Sequence, residues 1–315
     1  MSWWRKAGRA ITRGGPAPAE AGTPMDPKTQ ALLASLLTMA WFVEARDPYT
    51  GGHLWRVSRY AQLVAERSDL GGAVAARIAL GGFLHDLGKI GVPDAILRKT
   101  GKLSEEEYEV IKTHPGMGER MLAGHPLAAL VHDAVLLHHE RPDGCGYPSG
   151  LAAPHIPDMA LIVGVCDAFD AMTSHRPYRA GMPIEKALAL IDAEKGRQFD
   201  ARFADALIAL GSDAQLLHVA GHSDEGIPLQ SCPSCGPTLA LTRESQAGQL
   251  IYCRNCCGQF KLARDSGGLH AEPTGAHGRP ADLEPAVDLG LIRRTVGQAA
   301  ATLPADVLTA SLLTA

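Results

Sequence analysis

The stretch Ala75-Ala76-Arg77-Ile78-Ala79-Leu80-Gly81-Gly82-Phe83-Leu84-His85-Asp86-Leu87-Gly88-Lys89 decides how this chain of 315 residues is read. Its first ten residues predict an apolar helix, with paired glycines where a neighbouring backbone comes close. The helix ends in a histidine and an aspartate, and neutral imidazoles and carboxylates are the side chains that hold divalent metals. Adjacent helical positions diverge by roughly 100°, so His85 suits one cation while Asp86 reaches between two. Lys89 follows one turn later, where its charge suits a phosphate held beside the same site.

Outward from this stretch the same residue types recur. Nine of the thirteen histidines lie between residues 53 and 175, among them His53, His114 and the doublet His138-His139. Asp167 and Asp170 share a helix face at i, i+3, an acidic pairing that is costly without a cation. Taken singly, each histidine reads as a hydrogen-bonded core or surface residue, and His125, His132, His155 and His175 are read that way. His132-Asp133 repeats the dipeptide with no Gly-Lys after it. The coincidence of the other residues within one helical domain carries the metal reading.

Residues 1–25 read as a Pro/Gly/Ala-rich tail, with Trp3 and Trp4 beside Arg5 and Lys6, and Asp26-Pro27 marks a helix start. Helical patterning covers about 29–46, 53–68, 73–86, 105–113, 116–123, 127–140, 158–173, 184–195 and 201–210. Ser104 and Glu107 form a capping box at one of these starts. Period-two alternation is almost absent, which predicts an all-α domain over residues 26–215. A linker is expected at 216–228, a small β-prone module at 229–263, a flexible Gly/Pro/His-rich linker at 264–282 and a weakly patterned helical segment at 283–315.

Within the small module, Cys232-Pro233-Ser234-Cys235 and Cys253-Arg254-Asn255-Cys256 stand seventeen residues apart. That is the spacing of a zinc ribbon, in which two knuckles supply four thiolates to one structural Zn²⁺. Gly236 follows the first pair directly, whereas Cys257 intervenes before Gly258. Reduced cysteines used in this way point to the cytoplasm. The formal charge of −4 and the lack of a dense basic patch argue against nucleic acid as a partner. The longest apolar stretch, Ala31 to Val43, is too short to span a bilayer, so no transmembrane segment is expected.

At these residues the chain resembles the HD-GYP family, a branch of the HD metal-dependent phosphohydrolases. The blocks are Glu44 to His53, His85-Asp86-Leu87-Gly88-Lys89 through Asp94, His114-Pro115, and His138-His139-Glu140-Arg141-Pro142-Asp143-Gly144-Cys145-Gly146-Tyr147-Pro148. Asp167-Ala168-Phe169-Asp170-Ala171-Met172-Thr173, Arg176-Pro177-Tyr178-Arg179 and Gly196 to Asp200 complete them, over about residues 30–212. The resemblance implies an HD-type helical bundle, followed here by the zinc-ribbon-like β module. It also implies hydrolysis of the bacterial second messenger cyclic di-GMP to pGpG, and on to GMP in some members, by a water activated between two metals.

Carried over by position, His53, His85, Asp86 and Asp167 hold one metal, and Asp86 bridges to a second held by His114, His138 and His139. Iron or manganese suits this mixed ligation. Asp86, Lys89 and Asp170 are the catalytic candidates. Lys89, Arg176, Arg179, Gly146, Tyr147 and Pro148 are the candidates for substrate binding, and the Gly-Tyr-Pro loop also for protein partners such as diguanylate cyclases. Tyr49 stands where some members carry a glutamate for a third metal, which favours two metals. Pro142 and Cys145 depart from the family's loop. Hydrolysis of another cyclic dinucleotide, or binding without hydrolysis, are the alternatives, and the complete ligand set argues against the second.

Overall fold

In the computed structural model the described residues are 25–47, 50–175, 180–266 and 268–304. Asp26 caps α1 (Pro27–Arg46) by accepting from the Lys28 and Thr29 backbone amides, with Pro27 in the first turn. There follow α2 (His53–Arg67), α3 (Gly72–Leu84), a 3₁₀ turn over Leu87–Gly91, α4 (Asp94–Leu97), α5 (Glu105–Ile111), α6 (His114–Leu122) and α7 (Ala128–Leu137). The bundle continues with α8 (Asp158–Thr173), α9 (Ile184–Ala193), α10 (Ala201–Ala209) and α11 (Ala214–Ala220). The Ser104/Glu107 capping box is formed at the start of α5.

Helix α2 is the axis of the bundle. Eleven of its fifteen residues are buried, so its polar side chains have to find partners inside the protein. It packs on α3 and α8, whose apolar residues join it in one contiguous core. The helices supplying α3 and α7 stop earlier than the patterning suggests, at Leu84 and Leu137. His85-Asp86 and His138-His139 therefore sit just past helix ends rather than within them.

Beyond α11 come β1 (His222–Asp224), β2 (Ile227–Pro228), β3 (Leu250–Tyr252), β4 (Gly258–Asp265) and β5 (Gly268–His277), then α12 (Leu289–Thr302). β1 and β2 pair antiparallel, and β3, β4 and β5 form a three-stranded antiparallel sheet in that order. The four cysteines, with Leu239 and Phe260, make a separate small core.

The structure differs from two expectations. Residues 216–228 are no plain linker, because α11 and the β1–β2 hairpin occupy them. Residues 264–282 were expected as a flexible linker but hold β5, which pairs with β4 from Gly258↔His277 to Asp265↔Gly268. Glycine, proline and histidine hide strand propensity, and the hydrogen bonds of β4 supply what side chains do not. The C-terminal helical segment, as far as it is described, forms as α12, and Leu291, Ile292, Val296, Ala299 and Leu303 belong to the main core, against α1 and α3. No helix among the described residues is long and apolar enough to cross a membrane.

The extra cysteine of the second knuckle has a backbone reason. Cys257 takes a left-handed φ of 61°, occupying the place that Gly236, at φ 94°, takes after the first pair. A side chain there is strained, and Gly relieves it. Cys257→Gly is expected to stabilise the module by about 0.5–1 kcal/mol, read as a shift of the denaturation midpoint with Cys232, Cys235, Cys253 and Cys256 unchanged. Ile292→Ala is expected to destabilise the helical bundle by about 3 kcal/mol, measured by urea unfolding, because it leaves a cavity under α12.

Candidate metal centre

The candidate ligands converge from the ends of four helices and the middle of a fifth. His53 opens α2 and His114 opens α6, while His85-Asp86 and His138-His139 follow α3 and α7. Asp167 comes from α8. Ligand atoms of His53, His85 and Asp86 lie within 4.8 Å of one another, as do those of His114, His138 and His139. Asp86 stands between the two groups, with Oδ2 3.5 Å from His53 Nε2 and 3.3 Å from His85 Nε2, and Oδ1 3.5 Å from His114 Nε2. Asp167 Oδ1 is 3.6 Å from His53 Nε2 and 3.8 Å from His85 Nε2.

The geometry sets the tautomers. His85 Nδ1 donates to the Gly82 carbonyl at 2.7 Å, His114 Nδ1 to Ile111 at 2.8 Å and His138 Nδ1 to Ala134 at 2.7 Å. A carbonyl only accepts, so in each ring the proton sits on Nδ1 and the Nε2 lone pair points into the site. These carbonyls lie in the last turns of α3, α5 and α7, where the helix supplies no amide to satisfy them. One hydrogen bond thus caps a helix and aims a ligand. His85 Nε2, fully buried, has no hydrogen bond of its own. A buried acceptor left without a donor fits a cation.

The resting charges agree. Burial pushes His114 down to about 4, His139 to about 3 and His138 well below the usual imidazole range, so this group is neutral and ready to ligate. Burial alone would raise Asp86, but the charge of Lys89 and the hydrogen bond from His53 hold its carboxyl below the carboxylate range. Lys89 Nζ is 2.6 Å from Asp86 Oδ2. Burial also opposes a charge on His53, yet its bonds to Asp170 and Asp86 and the charges of Asp170 and Asp167 win, raising it to about 9.

Asp170, expected among the catalytic residues, stands elsewhere. It is completely buried behind His53, accepting from His53 Nδ1 at 2.8 Å and from Arg56 Nε and Nη2 at 2.6 and 3.0 Å. Its carboxylate therefore orients His53 and does not face the cleft, because Arg56, one turn further along α2, holds it there. Sequence reading passed over Arg56, because α2 also carries Arg59 and Arg67 and nothing local marks which of the three is buried. His132 lies apart, 41% exposed at its side chain, beside Glu119 and Asp133.

Gly88 explains the spacing of the HD motif. A Cβ there would come within 1.8 Å of the His114 carbonyl, so only glycine lets the 3₁₀ turn reach α6. Gly146 has the same part in the Gly-Tyr-Pro loop, where a Cβ would meet the His139 carbonyl at 2.6 Å. The loop folds back so that Tyr147 stacks on His139, with ring centroids 4.7 Å apart. Glu140, a second residue missed in sequence, anchors it by accepting from the Ser149 and Leu151 amides at 2.7 and 2.8 Å. A cleft of about 580 Å³ opens on the His114, His138 and His139 side of the centre, walled also by Lys89, Tyr147 and Asp167, whereas His53, His85 and Asp86 do not line it. Pro148 is not among the residues that line it. Arg176, Arg179 and Tyr49 lie outside the described residues.

Divalent cations bound here must displace the proton of His53. Near neutral pH, loading metal into metal-free protein should release about one proton from this group, and the count should fall to zero as pH rises through about 9. The sign follows for stability too: in metal-free protein the His53 contribution is present below its ordinary value and lost as pH rises through about 9. Proton release followed with an indicator dye in weak buffer checks the first statement, and thermal melts against pH check the second.

The HD domain family matches residues 38–203, more than half of the chain. The cyclic di-GMP phosphodiesterase response regulator RpfG of Xanthomonas campestris pv. campestris is 43% identical over 189 residues, covering 59% of this chain and 50% of that protein. A cyclic di-GMP phosphodiesterase of Thermotoga maritima is 40% identical over 169 residues, covering 53% and 46%. The 3'3'-cGAMP-specific phosphodiesterase 3 of Vibrio cholerae is 40% identical over 177 residues, covering 56% and 38%. The chain thus spans half or less of the length of these relatives. With the matched residues containing the whole cluster, the chain belongs to the HD domain family.

Proposed function

We propose that this protein is a metal-dependent phosphodiesterase that hydrolyses cyclic di-GMP to pGpG. The observation that carries this reading is the convergence of five inward-facing imidazoles and two carboxylates beside a cleft that also holds Lys89 and Tyr147. The names of the relatives at 40–43% identity support the substrate class.

His53, His85, Asp86 and Asp167 would hold one cation and His114, His138 and His139 the other, with Asp86 shared. Iron or manganese suits that donor set, and zinc suits the four cysteines. When bound, the paired cations supply an acidified water and neutralise charge on the phosphodiester. The chain's own residues do the rest. Lys89 lies between Asp86 and the cleft, placed to meet a phosphate oxygen. Asp170 and Arg56 keep the His53 ring in one orientation. Tyr147, stacked on His139, presents an aromatic wall against which a purine base can lie. Arg176 and Arg179 are assigned to the phosphates on the strength of the family motif alone. A cytoplasmic setting accords with the free thiols, and the Gly-Tyr-Pro loop is the surface we assign to a protein partner of the same signalling network. We take residues 26–215 together with α12 as the catalytic unit.

The relative named for 3'3'-cGAMP, at 40% identity, favours one second reading, a cyclic GMP-AMP substrate. Protein loaded with iron, manganese or nickel and given each dinucleotide in parallel, with products resolved by chromatography, separates the two. Turnover of cyclic di-GMP with a higher kcat/KM is the expected result; no turnover of either overturns the proposal. Lys89→Ala should lower kcat/KM about a hundredfold, and Asp86→Ala should abolish both turnover and binding of two metals.

A further inference from the structure

Three consecutive residues at the end of α1 reach three different parts of the molecule. The Glu44 carboxylate accepts from the Leu54 amide at 3.4 Å, in the first turn of α2 beside His53. Arg46 grips the loop that follows His85-Asp86: its Nη1 donates to the Lys89 and Ile90 carbonyls at 3.2 and 2.8 Å, and its Nη2 to the Val92 carbonyl at 2.9 Å. Asp94 completes this grip at 2.6 Å. Between them, the Ala45 carbonyl accepts from Arg254 Nη1 at 3.1 Å.

Arg254 belongs to the second cysteine knuckle. It follows Cys253 and precedes Cys256, and its own carbonyl accepts from Arg98 Nη2 at 3.3 Å. The knuckle thus touches both the end of α1 and the segment after the HD motif. Its four sulfurs are gathered within 4.8 Å, with Cys232–Cys256 at 3.7 Å and Cys235–Cys253 at 3.4 Å. A tetrahedron with arms of about 2.3 Å has edges of roughly 3.8 Å, so the cluster has the size of a tetrathiolate metal site. A second bridge crosses the same seam, because Arg56 Nη1 donates to the carbonyls of Gly51 at 3.1 Å and of His222, in β1, at 3.4 Å.

We propose that the cysteine module is a positioning part of the HD metal centre, with Arg254 the positioning residue: metal held by the four thiolates fixes the knuckle, the knuckle holds Glu44-Ala45-Arg46, and that segment sets the spacing of the His53 and His85-Asp86 ligands. The proposal rests on the reading of both clusters as metal sites. It makes the affinity of the catalytic centre depend on occupancy of a second, chemically different site, one sensitive to thiol oxidation.

The test uses the full chain, freed of HD-site metal by mild chelation, with zinc counted by elemental analysis and Mn²⁺ binding followed by the loss of the free-ion EPR signal. Arg254→Ala should retain one zinc per chain and an unchanged circular dichroism spectrum, yet bind Mn²⁺ about tenfold more weakly. Arg254→Lys, whose ammonium can still donate to the Ala45 carbonyl, should recover most of the affinity. Mn²⁺ affinity unchanged in Arg254→Ala overturns the coupling. A wild-type chain that binds Mn²⁺ but carries no zinc overturns the cysteine reading, and one that carries zinc but binds no Mn²⁺ overturns the reading of the HD site. Amide exchange in the wild type gives an independent measure: removing zinc should speed exchange at Leu54 and at residues 87–92, and equal rates would also overturn the proposal.

Discussion

A carboxylate with no exposed surface, Asp170, and the guanidinium that holds it, Arg56, set the terms for the rest of the structure. Two such groups leave water at a cost of several kcal/mol each, and only close pairing with every remaining donor satisfied offsets it. Arg56 meets that condition by using Nε and Nη2 on Asp170 and Nη1 on the Gly51 and His222 carbonyls. α2 and α8 are thereby locked in one relative placement, and His53 is held by Oδ2 of the same carboxylate, the oxygen that Arg56 Nη2 also reaches. The strain of burying charge is confined to a pair that also aims a ligand.

The rest of the centre uses a cheaper device. Helices end with carbonyls that lack intrahelical donors, and histidines placed just beyond those ends supply them. His85 on Gly82, His138 on Ala134 and His114 on Ile111 repeat the same bond, and each leaves Nε2 deprotonated and inward. The C-terminal ends of α3 and α7 also carry the negative pole of the helix dipole, which favours cations where His85-Asp86 and His138-His139 stand. Placement past the helix end is thus both structural and chemical.

Legibility in the sequence divided along physical lines. His85-Asp86 with Gly88-Lys89, His138-His139 and the cysteine pairs could be read because their chemistry depends on short spacings, and local backbone geometry turns a short spacing into a place in space. Arg56 and Glu140 escaped notice because a charged residue carries no local mark of whether it is solvated or buried. For Asp170, i, i+3 spacing gives the face it shares with Asp167 without saying that Arg56 of α2 meets it there. The strand β5 was hidden by its composition, and the place of α12 by a pattern too weak to show which surface it covers.

What the sequence by itself determined is the supply of residue types: a helical domain rich in apolar faces, imidazoles and carboxylates of the kind that hold divalent cations, a lysine one turn past Asp86, and four cysteines at knuckle spacing. Residue type and separation along the chain settle these. What only the tertiary structure decided is how they are combined. It turned Asp170 away from the cleft onto Arg56 and put α12 into the bundle core. It also set the cysteine knuckle against the end of α1. Each of these is a contact between segments far apart in the chain, fixed by burial and by the need to satisfy buried polar groups rather than by any local pattern.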